Sequence, residues 1–426
     1  MPVPKTVVIV GGSLAGLLHG LYLKRHGSHV VILEQDPGAV RSSHNAGIAF
    51  GPAVEEILRK YDATGVQSCT PSVATRFALR KRQHFKELSI IRNLTSWGLL
   101  YRLLRANFDG LASDAVPDPP PAREGDGRAE YRAGQRVTKL QRHENGAAVT
   151  VGFVGQDGVE GSLTADLVIG ADGQHSTVRS LVQARAVKEY SGYVAWRGTV
   201  AERDLPPDVA EYFASRTCIN LLKGTYIVSY AVPPDTGTFA PGSRLINWVW
   251  YYNLPLGSPA LTEVLTDSAG KTHGNTVPSG LARPEIFRKH LATTLPAMAA
   301  PFAALLSHPG QTPFVTKVND ALTETAVFWD GKVVLVGDAL AASRPHFAVA
   351  TEQAAQHCLG LAKVWGGEQT LQQWARDVTG YGKRIWLLSR VLGAFGLRGW
   401  REFVKVLCVY VAFLVRLRLG RGPRGW

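Results

Sequence analysis

TVVIVGGSLAG, residues 6–16, decides the fold of this chain: an apolar stretch ends in a glycine turn, and an apolar helix begins directly after it. A second apolar stretch, HVVILE at residues 29–34, ends in Glu34. Strand, glycine turn, helix and a terminal carboxylate form the fingerprint of a βαβ unit that binds a dinucleotide. Gly11 permits the tight turn, and Gly16 lets the helix pack closely on the strand. We therefore predict a site for FAD or NAD in this segment.

The same turn carries the binding chemistry. The start of the helix offers free N–H groups and the positive end of the helix dipole to a pyrophosphate. Gly12, Ser13 and Ala15 belong to this turn. Ser13 stands where a glycine is usual, but its side chain is small and its hydroxyl is able to face the phosphate. Glu34 is placed to accept hydrogen bonds from ribose hydroxyls.

Composition indicates a globular protein of two or three domains, because 426 residues are 45% hydrophobic and 19% charged. The four cysteines are scattered without the spacing of a zinc site or a disulfide framework, so no metal is predicted and a reducing compartment is favoured. A dinucleotide turn so close to Met1 leaves no room for a cleavable signal peptide. We expect a cytoplasmic protein.

The net charge of +13 raises the question of a polyanionic partner. The basic residues are spread out and no nucleic-acid-binding module is present, so we expect no nucleic-acid partner. A positive face would attract NADPH. Residues 406–415, VLCVYVAFLV, are uncharged, too few to span a bilayer, and flanked by Lys405 and Arg416. A buried helix and a helix on a membrane surface both remain open for this segment.

The pattern of apolar segments indicates a nucleotide-binding domain that is interrupted twice. Its parts are residues 1–73, 93–184 and 321–375. The insertions are a hairpin at 74–92 and an antiparallel, aromatic-rich sheet at 185–320. A basic and apolar helical region, 376–426, completes the chain.

Two further motifs repeat the pattern of an apolar strand that ends in an acidic residue and a glycine. ADLVIGADGQHSTVR, residues 165–179, carries Asp172 and Gly173. GKVVLVGDALAASRPH, residues 331–346, carries Gly337 and Asp338. Either motif alone is typical of a simple turn. Their order after a dinucleotide loop indicates that all three serve one cofactor.

With these motifs, most of residues 6–365 resembles the single-component FAD-dependent aromatic hydroxylases, the p-hydroxybenzoate hydroxylase group. The resemblance implies an α/β fold: a Rossmann-like FAD-binding domain, an inserted antiparallel β-sheet substrate domain and C-terminal helices. It also implies bound FAD, NADPH or NADH as electron donor, O2, and a small aromatic or heteroaromatic substrate. TSWGLLYRLLRANF (95–108) and YSGYVAWRG (190–198) are similar to the dihydroxypyridine-hydroxylase-like branch, which is common among fungal flavoproteins and suggests a role in secondary metabolism.

The resemblance also assigns cofactor-binding residues. Gly11, Gly12 and Gly16 would serve the pyrophosphate and Glu34 the ribose. Five further residues would contact other parts of the cofactor: Arg41 and Gly47 along the flavin, Arg102 at the phosphates or ribitol, Asp172 near the pyrophosphate, and Asp338 on the ribityl chain. The chain departs from the family after His346, where Phe347-Ala348-Val349-Ala350-Thr351 replaces the usual glycines. This departure bears on the rate and coupling of the reaction with O2 more than on FAD binding.

Candidate catalytic and substrate-binding residues lie in the third motif and in the sheet. A neutral His346 would accept a proton from a substrate phenol, or it would only shape its loop. His44 precedes the flavin-facing segment. Tyr193, Arg197, Tyr230 and Trp248 are candidates for substrate contact, although we favour for Arg197 a structural pairing with a carboxylate of the sheet. Alternation places Trp248 and Trp250 on one face and Tyr251 on the other.

Hydroxylation is the favoured reaction, and three alternatives remain. The same fold supports epoxidation or ring-expanding oxidation. A flavin reductase at a membrane would account for the apolar, basic tail. A non-catalytic nucleotide-binding protein would consume no NADPH. The sequence also leaves open a homodimer and the choice between NADPH and NADH.

Overall fold

The structure is a computed structural model, and it describes residues 1–38, 46–144 and 146–419. Arg41 and His44, both named above as site candidates, lie outside the described residues.

The strands are, in chain order, β1 (Thr6–Val10), β2 (His29–Leu33), β3 (Gly47–Phe50), β4 (Thr70–Ser72), β5 (Ala74–Leu79), β6 (Arg82–Leu88), β7 (Arg92–Ser96), β8 (Ala129–Arg132), β9 (Arg136–Arg142), β10 (Val149–Val154), β11 (Glu160–Ala165), β12 (Leu167–Gly170), β13 (Ala186–Ala201), β14 (Arg216–Leu222), β15 (Thr225–Val232), β16 (Leu245–Asn253), β17 (Thr276–Val277), β18 (Phe314–Thr323), β19 (Val327–Phe328), β20 (Val333–Leu335) and β21 (Ala341–Ala342).

The α-helices are α1 (Leu14–Arg25), α2 (Pro52–Tyr61), α3 (Trp97–Asp109), α4 (Thr177–Leu181), α5 (Pro207–Phe213), α6 (Pro259–Leu265), α7 (Pro284–Thr294), α8 (Ala300–Leu306), α9 (Ala350–Trp365), α10 (Leu371–Gly393) and α11 (Trp400–Arg418). A π-helical turn, Ala394–Arg398, joins α10 to α11. Among the described residues, no helix combines the length and the apolar character needed to cross a membrane.

The nucleotide-binding sheet has the strand order β19-β20-β12-β1-β2-β8. β1 pairs in parallel with β12 and β2, and β12 pairs in parallel with β20. Their residues are almost wholly buried, as expected for a parallel sheet that is covered on both faces. Because β1, β12 and β20 run side by side, the three motifs that follow them meet at one edge of the sheet.

The second large sheet has the order β17-β18-β13-β16-β15-β14-β5-β6, with β21 beside β18. Its pairs are antiparallel except for β14 and β5, which run in parallel. The hairpin β5–β6 thus extends the sheet formed by residues 186–323. These observations confirm the predicted α/β fold class, while the exact domain boundaries stay predictions.

The two faces of this sheet have different neighbours. Trp196, Trp248 and Trp250 pack on Phe287 of α7, in a core formed with α5 to α8. Tyr193, Tyr226 and Tyr251 form a separate cluster on the opposite face. The predicted alternation of Trp248 and Tyr251 is therefore confirmed. The face that carries the tyrosines is the one directed toward the nucleotide-binding sheet.

Candidate active site

A first cavity of about 330 Å³, the nucleotide cavity, lies at the end of β1 and is lined by Gly11, Ser13, Glu34, Asp172 and His175. Gly11 has φ +103°, and a Cβ there would lie 2.5 Å from the carbonyl oxygen of Ala171. A Cβ on Gly16 would lie 2.0 Å from the carbonyl oxygen of Gly11. Both positions therefore require glycine. The side chain of Ser13 makes no capping hydrogen bond to α1, which leaves its hydroxyl available.

Two acidic residues line the nucleotide cavity, and the carboxylates of both accept hydrogen bonds from nearby backbone N–H groups. Glu34 accepts hydrogen bonds from the backbone N–H groups of Gly12 and Asp36, both at 2.8 Å. Asp172 accepts from the Ser176 hydroxyl at 2.5 Å and from the N–H groups of Thr177 and Val178 at the start of α4. Burial raises the pKa of Asp172. Asp172 is thus engaged in holding the loop that borders the cavity.

The central cavity, about 380 Å³, lies between the two sheets and includes Gly47, Arg197 and Asp338 in its lining. Gly337 has φ +54°, and a Cβ there would lie 3.0 Å from the Ala15 Cβ, so this turn abuts the start of α1. Burial raises the pKa of Asp338 to about 6. Across the described residues, no group hydrogen-bonds to the Asp338 carboxylate, so its oxygens are free for a ligand.

The opposite wall of the central cavity belongs to the tyrosine face. Gly47 donates its N–H to Asn247 Oδ1 at 3.0 Å, and a Cβ there would lie 2.8 Å from the Tyr230 ring. Glycine at this position lets β3 pass directly over β15 and β16. Arg197 has a buried Nε without a partner, and its guanidinium pairs with no carboxylate of the described chain. The expectation of a sheet carboxylate beside Arg197 is therefore wrong.

A third cavity, about 280 Å³ and lined mainly by carbon atoms, adjoins the central one; we call it the apolar cavity. The two share a wall formed by Ala49, Tyr230, Val249, Tyr251, Pro345 and Ala348. Ala348 adopts φ +51°, a left-handed conformation that costs an alanine about 1 kcal/mol. Ala348 belongs to the segment at residues 347–351 in which the resemblance led us to expect glycines.

His346 lines the apolar cavity and is held by two tyrosines. The Tyr193 hydroxyl lies 2.7 Å from Nε2, and the Tyr226 hydroxyl makes a short hydrogen bond to Nδ1. Burial, together with the charge of Arg344, lowers the pKa of His346 to about 3, so the ring is neutral at physiological pH. Behind Tyr193, Arg344 forms a buried ion pair with Asp320 at 2.7 Å.

The residues present fit FAD. A glycine turn with its carboxylate, an unpartnered carboxylate at Asp338 and a glycine-walled space between two sheets follow one another along the edge of the nucleotide-binding sheet. Gly11, Ser13 and Glu34 would hold the adenosine diphosphate half. Asp338 and Gly47 would hold the flavin half. Among the described residues there is no cluster of histidine, cysteine and acidic side chains that could bind a metal.

Comparison with known proteins agrees with this geometry. A family model described as FAD binding domain-like matches residues 190–320. The chain is 26% identical to 2,6-dihydroxypyridine 3-monooxygenase of Paenarthrobacter nicotinovorans over 378 residues, which are 88% of this chain and 87% of the relative. The solved structure of 2,6-dihydroxypyridine-3-hydroxylase from Arthrobacter nicotinovorans superposes with a TM-score of 0.76 at 25% identity, covering 94% of this chain and 95% of that one. The chain is an FAD-dependent monooxygenase, and it is similar to aromatic hydroxylases.

A more distant structure shares only the fold. Klebsiella pneumoniae HpxO, solved with FAD and uric acid, gives a TM-score of 0.67 at 17% identity, with 98% of this chain and 95% of that chain covered. NADPH or NADH is the electron donor typical of this monooxygenase family. None of these three proteins comes from a fungus, so the fungal assignment has no support.

Two predicted residues of this monooxygenase do not reach the cavities. The Trp248 ring stacks on Phe287 on the far face of the sheet, so its assignment to substrate binding is wrong. Arg102 lies outside the lining of the three cavities, and its guanidinium pairs with Asp235 at 3.0 Å. Tyr193 reaches the site only through His346, whereas Tyr230 lines two cavities.

Three residues of the apolar cavity were missed by the sequence analysis as site candidates: Tyr226, Tyr251 and Arg92. Tyr226 and Tyr251 share a face with Tyr230 and Val249, so strand alternation could have indicated them once Tyr230 was chosen. Arg92 donates to the carbonyl oxygen of Phe347 at 2.7 Å. No motif marks Arg92, because its place in the cavity depends on the pairing of β3 with β7.

We expect Asp338→Ala to abolish FAD retention, because the free carboxylate in the central cavity would hold the ribityl hydroxyls. The flavin absorbance of the purified protein measures this. Asp377→Ala, which removes a carboxylate from α10, is the matched control and should stay yellow. A yellow Asp338→Ala protein with a full flavin spectrum would contradict the assignment.

We also expect the FAD-free protein to lose stability as the pH rises from about 4 to about 6. The pKa of Asp338 rises from 3.8 in the unfolded chain to about 6 in the folded one, so the folded state binds the proton more tightly and is favoured at low pH. Thermal unfolding of apoprotein across this range measures the effect. Asp338→Asn should flatten this part of the profile, and an unchanged slope would exclude Asp338 as its source.

Proposed function

We propose that this monooxygenase hydroxylates a small heteroaromatic compound that carries an acidic ring hydroxyl, and that the ring binds in the apolar cavity. The observation that carries the proposal is His346, which stands in the wall of that cavity with each ring nitrogen bonded to a tyrosine hydroxyl. A volume of about 280 Å³ favours a compound of one or two rings. The name of the relative reported above, 2,6-dihydroxypyridine 3-monooxygenase, supports this substrate class.

The chemistry that bound FAD supplies in such enzymes is the transfer of electrons from NAD(P)H to O2, by which one oxygen atom reaches the substrate. The protein has to hold the ring close to this chemistry and to exclude water. The central and apolar cavities adjoin and both have Tyr230, Tyr251 and Ala348 in their lining, which supports a substrate ring bound next to the flavin. The apolar lining of the third cavity excludes water from the substrate side.

Tyr226, His346 and Tyr193 form a hydrogen-bonded chain that would act on the substrate hydroxyl. A neutral imidazole carries one N–H and one lone pair, so one tyrosine donates to the ring and the other accepts from it. Because burial disfavours a charged ring, His346 stays neutral and no net proton is left on the three residues. A substrate hydroxyl that donates a hydrogen bond to the Tyr226 oxygen would be polarised by this chain, which raises the electron density of the substrate ring and favours its attack on oxygen.

Arg197 supplies the charge that would match an acidic substrate. Its guanidinium stands beside Tyr230 and Tyr251 in the wall of the central cavity, and it pairs with no carboxylate within the described chain. Arg92 approaches the same tyrosine, Tyr230, from the apolar cavity. Two guanidinium groups around one tyrosine favour an oxyanion or a carboxylate on the substrate.

The experiment that tests the function is a screen of hydroxypyridines and hydroxybenzoates for compounds that accelerate NAD(P)H oxidation by the purified yellow protein. Oxygen consumption and incorporation of labelled oxygen from O2 into a hydroxylated product would establish the reaction. Epoxidation or ring expansion would give a different connectivity. Oxidation of NAD(P)H without substrate-dependent oxygen consumption would overturn the proposal.

We expect His346→Ala to retain FAD and to lower hydroxylation about a hundredfold, or to divert NAD(P)H oxidation into peroxide, since the hydrogen-bonded chain is broken. The measurement is the ratio of product formed to NAD(P)H oxidised. Tyr226→Phe should show the same change to a smaller degree. Tyr252→Phe alters a hydroxyl on the far face of the sheet and should leave coupling intact. Unchanged turnover and coupling in His346→Ala would remove this residue from the mechanism.

We expect Arg197→Gln to raise KM for the accepted acidic substrate about tenfold to a hundredfold with a smaller change in kcat, because an acidic substituent that reaches from the apolar cavity toward the central cavity would lose its charged hydrogen bond. Steady-state kinetics of the FAD-loaded enzyme measures this. Arg216→Gln, which changes an arginine that pairs with Glu87 at the outer part of the same sheet, is the control. Equal KM values for Arg197→Gln and the control would contradict the role.

A further inference from the structure

The last helix, α11, presents an unusual outer face. It packs on α10 through Val406 and Phe413, which are buried. Its solvent side carries an apolar stripe of Trp400, Val404, Cys408, Val411, Val415 and Leu419, all exposed, with Trp400 71% exposed. These residues recur at intervals of three and four, so they lie along one side of the helix. We call this set the outer stripe.

Basic residues border the outer stripe. Arg401, Lys405 and Arg416 are exposed and follow one edge of it, because spacings of four and eleven residues return to nearly the same direction around a helix. Arg418 lies on the other edge. The sequence of α11 contains one acidic residue, Glu402. An apolar stripe with cationic borders and a tryptophan at one end is the pattern of a helix that lies in the surface of an anionic membrane.

Contacts of the turn before α11 fix the position of the outer stripe relative to the apolar cavity. The turn before α11 is bound to β16 of the second large sheet, since Asn253 Nδ2 donates to the carbonyl oxygen of Leu397 at 2.6 Å. Phe395 belongs to this turn, lines the apolar cavity and is 61% exposed. The rings of Phe395 and Trp400 both contact Phe403, with centroids 5.3 and 5.4 Å apart. An exposed aromatic cluster therefore connects the wall of the apolar cavity with the outer stripe.

We propose that α11 and the turn before it bind peripherally to an anionic lipid bilayer, with the outer stripe in the headgroup region. Charge favours a bilayer over a second copy of the chain. An antiparallel pair of these helices would set the two Lys405-bearing edges against each other, and like charges at close range oppose association. Anionic headgroups would instead neutralise both borders, and the net charge of +13 adds a general attraction.

Sedimentation with vesicles tests the proposal on the full-length FAD-loaded protein. Vesicles of phosphatidylcholine with 30% phosphatidylserine should bind the protein at low salt, and vesicles of phosphatidylcholine alone should bind it at least fivefold less. Val411→Glu in the outer stripe should abolish binding. Val409→Glu, the same change at an exposed position outside the stripe, should retain it. Lys405→Glu combined with Arg416→Glu should lose most of the binding.

A second measurement reports on the stripe itself. Cys408 is exposed, whereas Cys218 and Cys358 are buried. In a Cys69→Ser background, an environment-sensitive fluorophore on Cys408 should shift to the blue with anionic vesicles and not with neutral ones. A protein that fails to bind anionic vesicles, or whose Val411→Glu variant binds them as well as Val409→Glu, overturns the proposal. A dimer in solution that Val411→Glu dissociates, without lipid binding by the parent protein, overturns it in favour of a second copy. Since FAD and folding are measured on the same samples, none of these results depends on the proposed function.

Discussion

The close approach of three strand ends is the constraint on which the rest of the structure depends. β1, β12 and β20 lie side by side, and the turns that follow them touch: a Cβ on Gly11 would collide with the carbonyl oxygen of Ala171, and Gly337 abuts Ala15. Only glycine allows this packing at Gly11. The contact brings the nucleotide cavity and Asp338 to one edge of the sheet, so a single extended cofactor can span both.

The second large sheet completes the site because its tyrosine face lines the central and apolar cavities. Its tryptophans are covered by helices, and its tyrosines face the nucleotide-binding sheet. Strand alternation predicted that Trp248 and Tyr251 point in opposite directions, but it could not tell which face would be covered. That choice depends on where α5 to α8 pack, which is a tertiary property that no local pattern of β16 encodes. The error over Trp248 follows from this.

The parts of the site that were predictable are those in which the backbone itself makes the contact. The glycine turn, Glu34 and the turn at Asp338 follow directly after strands, so a short sequence pattern determines their place. Side chains that act through a partner were not predictable in the same way. Arg102 is paired with Asp235, more than a hundred residues away along the chain, and the hydroxyls that hold His346 come from β13 and β15. Such pairings exist only once both sheets are assembled.

Ala348 stands in the wall between the central and apolar cavities, and it does so in a conformation that suits glycine. Replacement of Ala348 by glycine would remove the strain of the left-handed backbone conformation. It would also remove a methyl group from the wall that the two cavities share. Codons for these two amino acids differ by one base. The chain thus lies one mutational step from a roomier active site whose opening would carry little penalty to the fold, and this offers the enzyme a direct evolutionary route to bulkier substrates.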